Sequence, residues 1–146
     1  MAYTVSIVYQ ARVGDIASQA PLYLAPIIVT GIDKGAVLCH CPNCRKASGS
    51  SFAHNYRLTK ASLSIPQGAA LVRTYADSAT KTGNTLQRHF CGQCGSPLYM
   101  ENAAFPGLVI LHAGSMQDGT QQPSLELFAE DKYSWVGDVT GKGAKL

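Results

Sequence analysis

The amino-acid sequence predicts a small, mainly-β protein, and three observations carry that prediction. Short stretches rich in β-branched and aromatic residues recur along the chain, glycine (14) and proline (7) punctuate them, and no window of a dozen residues shows helical periodicity. At 146 residues the chain matches one domain of common size, long enough to bury a core and too short for two ordinary domains. Hydrophobic residues make up 46% and charged residues 14%, a globular composition with fewer charges than the roughly 25% usual in soluble proteins. That deficit points to an apolar patch, a pocket or a partner surface.

Taken in order, Tyr3 to Tyr9 reads as a first strand, and Leu22 to Thr30 as a second, interrupted at Pro26. Ala36 to Leu38 leads into a first group of cysteines. Ser51 to Leu58 alternates well enough for a strand, Ala69 to Tyr75 is another, and Thr85 to Phe90 leads into a second group of cysteines. Pro97 to Met100 and Gly107 to His112 follow, the latter apolar enough to be central, and Leu125 to Ala129 closes the series. Helices are expected only as single turns, after Cys44 and near Ser62. The segment 137–146 holds three glycines and almost nothing apolar to anchor it, so it is expected to be a flexible C-terminal tail to a domain spanning 1–136.

Charge and hydropathy exclude some classes of function. The net charge of +3 comes from basic residues scattered singly, with no run able to track a phosphate backbone, so nucleic acid is not expected as a partner. The first residues, Met1 to Gln10, lack the charged start, apolar stretch and cleavage site of a signal peptide. No apolar run approaches the roughly 20 residues that span a bilayer. A cytoplasmic protein without membrane attachment is the expectation.

Five cysteines is an odd number, and they fall into two tight groups rather than the spread of a disulfide framework. Cys41-Pro-Asn-Cys44 and Cys91-Gly-Gln-Cys94 each have the Cys-x-x-Cys form, in which a tight turn lets two sulfurs converge on one zinc ion. Cys39 adds a third thiol two residues upstream of Cys41, and five thiolates exceed one tetrahedral ion. Two arrangements follow. Either one cysteine is spare beside a closed four-sulfur site, or Cys39, Cys41 and Cys44 hold a zinc whose fourth position stays open to water or substrate, as a catalytic ion requires. His40 lies between two of these ligands, where a role behind the ion suits it better than ligation. His54, His89 and His112 are isolated in strands. Arg45 directly follows the trio, where its guanidinium can hold a substrate carboxylate, and Ser48 to Ser51 offers backbone amides suited to an anion. Arg45 and His54 are the candidate substrate-binding residues. No Ser-His-Asp order, phosphate loop or dinucleotide fingerprint is present.

Two stretches, Val37-Leu-Cys-His-Cys-Pro-Asn-Cys-Arg-Lys-Ala-Ser-Gly-Ser-Ser-Phe52 and Arg88-His-Phe-Cys-Gly-Gln-Cys-Gly-Ser-Pro-Leu-Tyr99, resemble the glutathione-dependent formaldehyde-activating (GFA) enzymes, which share a domain with centromere protein V. Ala113 to Asp118 is similar to that family's Gly-Ser-Leu-Asp-Asp turn, and Phe128 to Val136 to its terminal segment, with Ser134 in place of a proline. The resemblance implies a β-tent fold with two zinc ions. One is a working site matched by Cys39, Cys41 and Cys44, and the other is a structural site whose second half is matched by Cys91 and Cys94. The first half is missing: no cysteine precedes Cys39, and Val8 and Gln10 stand where the family's Cys-x-Cys is expected. One zinc per chain is therefore expected, with compensation from packing or a homodimer interface.

The activity implied is that of a carbon-sulfur lyase acting on a glutathione adduct or a related small electrophile. Its alternatives are a divergent member acting on another metabolite and a non-catalytic zinc module. The lost Cys-x-Cys, the apolar stretch Pro21 to Val29 and the scarcity of charge favour an apolar ligand and weak glutathione binding.

Overall fold

The computed structural model describes residues 4–12, 23–66, 68–116 and 121–139, with side chains from residue 27 onward. Among them eight strands build one sheet. They are β1 (Thr4–Arg12), β2 (Tyr23–Cys39), β3 (Ala53–Ser64), β4 (Val72–Asp77), β5 (Leu86–Cys91), β6 (Pro97–Asn102), β7 (Val109–His112) and β8 (Leu125–Leu127). The order across the sheet is β1-β2-β3-β7-β6-β5-β4, and β8 pairs in parallel with the end of β2. The one α-helix among the described residues, α1 (Pro42–Ser48), leaves the sheet directly after β2. The mainly-β fold expected from the sequence is the fold found. Residues 140–146 of the expected tail lie outside the described residues, as do Gln117 and Asp118 of the turn.

Several boundaries differ from the sequence reading, each for a local reason. The two strands expected at Leu22 to Thr30 and Ala36 to Leu38 are one long strand, because the glycines between them make bulges rather than a turn. The register against β3 shifts between Thr30 and Ile32 and again between Asp33 and Ala36. Gly31 is needed there, since a Cβ would stand 3.0 Å from the Thr59 carbonyl oxygen and 3.1 Å from Ala61 Cα. Gly35 takes φ 75°, and its N–H donates to Asp33 Oδ1 at 2.6 Å. Pro26 is tolerated because it pairs with Gln10 of β1 before β2 meets β3, whose register begins at Ile28. No helical turn forms near Ser62, which pairs with Thr30 inside β3. Residues 69–71 form a 3-10 turn, so β4 begins at Val72. No helix among the described residues is long and apolar enough to cross a membrane.

The pleat divides the sheet into two working faces. One carries the main core, where Tyr56, Leu58, Tyr99, Val109 and Leu111 pack together; Leu58 and Leu111 are wholly buried. Each such side chain stabilises the fold by about 1.5–3 kcal/mol through burial. The residues between them face the other way: Val37 and Cys39 of β2, Asn55 and Arg57 of β3, Ile110 of β7, and Met100 and Asn102 of β6 line one common cavity. A separate small cluster of Cys39, Cys41, Cys44 and Ala53, covered by Leu127 and Phe128, closes one end of that face.

Candidate metal centre

Three short-range features bring the thiols of Cys39, Cys41 and Cys44 together. Cys39 is the last residue of β2, held in parallel register with Leu127 of β8, and the His40 N–H donates to the Leu127 carbonyl at 3.0 Å. The chain then turns, and Cys41 becomes the N-cap of α1 in an extended conformation (φ −60°, ψ 152°), its Sγ accepting the Cys44 N–H at 3.4 Å. Pro42 fills the first helical position, where its missing N–H costs nothing, and Gly49 ends the helix in the left-handed region at φ 60°.

The result is three buried sulfurs within 4.8 Å of one another, with Cys39 and Cys41 Sγ 3.5 Å apart. Three thiolates about 2.3 Å from a shared tetrahedral ion stand roughly 3.8 Å from each other, so the cluster is already close to a coordination shell and can hold a metal ion. Its electrostatics agree. Hydrogen bonds from Cys39 and then Cys44 pull the Cys41 thiol far below its ordinary range. The same contacts act in reverse on the other two. Cys39 is pushed up to about 11, first by its hydrogen bond with Cys41, and Cys44 is pushed far above its ordinary value by Cys39, Cys41 and burial. Without a cation only one of the three can comfortably carry charge, and a bound divalent ion removes that conflict.

The cluster opens on a cavity of about 150 Å³. Its floor is the sheet face described above, and its cover comes from Asn43 and Cys44 of α1, residues 80–82, Leu127 and Phe128. Apolar side chains dominate the wall. Lys81 at the edge is engaged by Glu130 Oε1 at 2.7 Å and Asp131 Oδ2 at 2.6 Å. Asn55 is 3% exposed, and its Oδ1 has no hydrogen-bond partner within the protein; the buried Nε of Arg57 likewise has none there.

Behind the thiols lies a polar anchor. His40 is wholly buried, and its Nε2 meets Glu126 Oε2 of β8 at 2.9 Å, while Lys132 Nζ lies 2.9 Å from the same oxygen. His40 is not part of the three-sulfur cluster. Arg45 and His54, expected near the substrate, do not line the cavity. Arg45 donates to the Asp131 carbonyl at 3.0 Å and lies 4.1 Å over the Tyr133 ring, bordering a separate surface depression with Lys46 and Ser50. His54 Nε2 lies 3.2 Å from the Gln121 carbonyl, and strand alternation sets it on the face opposite Asn55.

Cys91 and Cys94 form their own turn, in which the N–H groups of Gln93 and Cys94 donate to Cys91 Sγ at 3.3 and 3.4 Å. Among the described residues, Cys39, Cys41 and Cys44 are the group of three or more metal-ligating side chains that converges, and neither Cys91 nor Cys94 belongs to it. Sequence reasoning did not single out Asn55, Arg57 or Glu126. For the first two a signal existed: the alternation in Ala53 to Leu58 sets Asn55 and Arg57 together, opposite Tyr56 and Leu58. Glu126 gave none.

Fold and site together define a mainly-β domain built around a buried three-thiol centre that opens on a small cavity. The chain belongs to the family of glutathione-dependent formaldehyde-activating enzymes, whose model matches residues 27–131. It is similar to a Halomonas elongata protein that bears the provisional name glutathione-dependent formaldehyde-activating enzyme, at 29% identity over 103 residues. That match takes in 67% of this chain and 64% of the relative, so the chain spans a little under two thirds of the relative's length.

Proposed function

We propose that this chain is a zinc-dependent enzyme of the carbon-sulfur lyase type, working on a small thiol adduct or related electrophile at Cys39, Cys41 and Cys44. The observation that carries the reading is a cluster of three buried thiols beside a cavity, which leaves room for a fourth, exchangeable ligand. An all-sulfur donor set suits zinc among the common metals. Bound there, zinc would lower the pKa of a thiol ligand and orient its sulfur. In the synthetic direction a carbon-sulfur bond forms between that sulfur and an aldehyde carbon, and the thiol proton passes to the aldehyde oxygen; the reverse reaction breaks the same bond. The protein's part is to bury the reacting atoms against an apolar wall and exclude water. Cys91 and Cys94 are assigned to fold stability rather than to the reaction.

A second reading, in which the natural electrophile is not the glutathione adduct, has an observation in its favour. A volume of about 150 Å³ falls below the roughly 300–1,000 Å³ of ordinary ligand pockets, so only the reacting head of a molecule fits inside. The carboxylates of glutathione would have to be met outside, where Lys81 is already paired with Glu130 and Asp131. Exchange spectroscopy by NMR on a small thiol mixed with formaldehyde tests the first reading. The zinc-loaded protein should accelerate interconversion and Cys41→Ser should not, whereas no acceleration by either contradicts a lyase. Titration calorimetry with glutathione and its S-hydroxymethyl adduct separates the two ligands' claims, and saturable low-micromolar binding favours glutathione.

A further inference from the structure

We infer that Asn55 sets the ligand class of this cavity: its Oδ1 accepts a hydrogen bond from a hydroxyl carried close to the ligand's sulfur, so the site selects small hydroxyl-bearing thiols and thiol adducts over plain alkyl thiols. The inference rests on the three-thiol zinc reading and goes beyond it by naming what the fourth ligand must carry.

The observations are independent of the metal. Asn55 lies in the middle of the sheet, in register with Val37 of β2 and His112 of β7, so the strands on both sides occupy the backbone around it. Its side chain is almost entirely buried and lines the thiol cavity, yet its Oδ1 meets no donor from the protein, not even from His112 across the ladder. A buried amide oxygen without a partner costs about 1–3 kcal/mol, and native folds keep few of them. Two residues on, Arg57 lines the same cavity with its buried Nε–H also unpartnered, its guanidinium held by a 2.9 Å bond from another nitrogen to the Lys34 carbonyl. An acceptor and a donor thus stand two residues apart on one strand of a wall that also carries the apolar Val37, Met100, Ile110 and Leu127 and the polar Asn102. In place of water, a hydroxyl on the ligand satisfies both, donating to Asn55 and offering its lone pairs to Arg57. A site with such groups rejects a ligand lacking the hydroxyl, because the protein's polar atoms are then left unpaired under an apolar ligand.

The test uses two thiols of equal heavy-atom count, 2-mercaptoethanol and 1-propanethiol, titrated into the zinc-loaded protein with binding read by calorimetry. The wild type should bind 2-mercaptoethanol about tenfold more tightly, the worth of one net hydrogen bond to a buried group. Asn55→Leu, with its zinc content verified, should lose or reverse that preference, and Asn55→Asp should keep it. Equal affinities in the wild type, no binding of either thiol to zinc-loaded protein, or an unchanged preference in Asn55→Leu would each overturn the inference. The wild-type comparison decides even if Asn55→Leu fails to fold. A protein that holds no zinc at the three thiols overturns the functional reading as well, which separates that failure from a failure of selectivity alone.

Discussion

His40 stands in sequence between two thiols of the candidate metal centre, yet its ring is committed to Glu126, 86 residues away. The pair ties the end of β2 to β8, and with it the turn that aims Cys39 and Cys41. Replacing Glu126 by alanine strips a buried imidazole and Lys132 of their common acceptor, and should cost about 1–3 kcal/mol in urea unfolding. A change below about 0.5 kcal/mol, the size of an ordinary surface substitution, would mean that the anchor is idle. Legibility at this scale follows sequence separation. The three thiols were readable because spacings of two and three residues fix their convergence locally, through a strand end and a helix cap. Glu126 was not, because nothing near it in sequence announces a histidine to be held. Arg45 read as a ligand-binding cation for its proximity to Cys44, but one helical step turns it toward Tyr133 and away from the cavity.

At the scale of elements, β2 and β3 decide the site, since one face of each supplies the thiol cavity and the other the core. The strands were legible from β-branched and aromatic runs, whereas their lengths were not. Glycines at 31 and 35 read as chain breaks although the ladder absorbs them as bulges. The close approach of Gly31 to Thr59 and Ala61 makes this testable. Gly31→Ala should destabilise the protein by about 1–3 kcal/mol, because the new methyl meets backbone that cannot easily yield. Were Gly31 in an open turn instead, the same change would be neutral or slightly stabilising. The helical turn expected after Cys44 is a seven-residue helix that starts earlier, with Pro42 at its first position and Gly49 at its end. The helix expected near Ser62 failed because pairing with β2 outweighed weak local propensity.

For the whole molecule, a buried histidine gives stability a pH dependence of its own. His112 is buried, and first that burial and then the charge of Arg88 pull it from its ordinary 6.5 down to about 4. The folded state therefore keeps it neutral where the unfolded chain would take up a proton. Its contribution is complete above pH 6.5 and is lost as pH falls toward 4. Between pH 7 and pH 5 the unfolding free energy should drop by about 2 kcal/mol on this account, and the drop should shrink in His112→Leu. An identical pH slope in that variant would assign the effect elsewhere. The metal question is settled by elemental analysis of the purified protein beside Cys41→Ser and Cys91→Ala/Cys94→Ala. One zinc per chain in the wild type and in the double variant, with none in Cys41→Ser, is the expected result. Two zinc ions per chain, or a single zinc that survives Cys41→Ser, would contradict a working centre built on Cys39, Cys41 and Cys44.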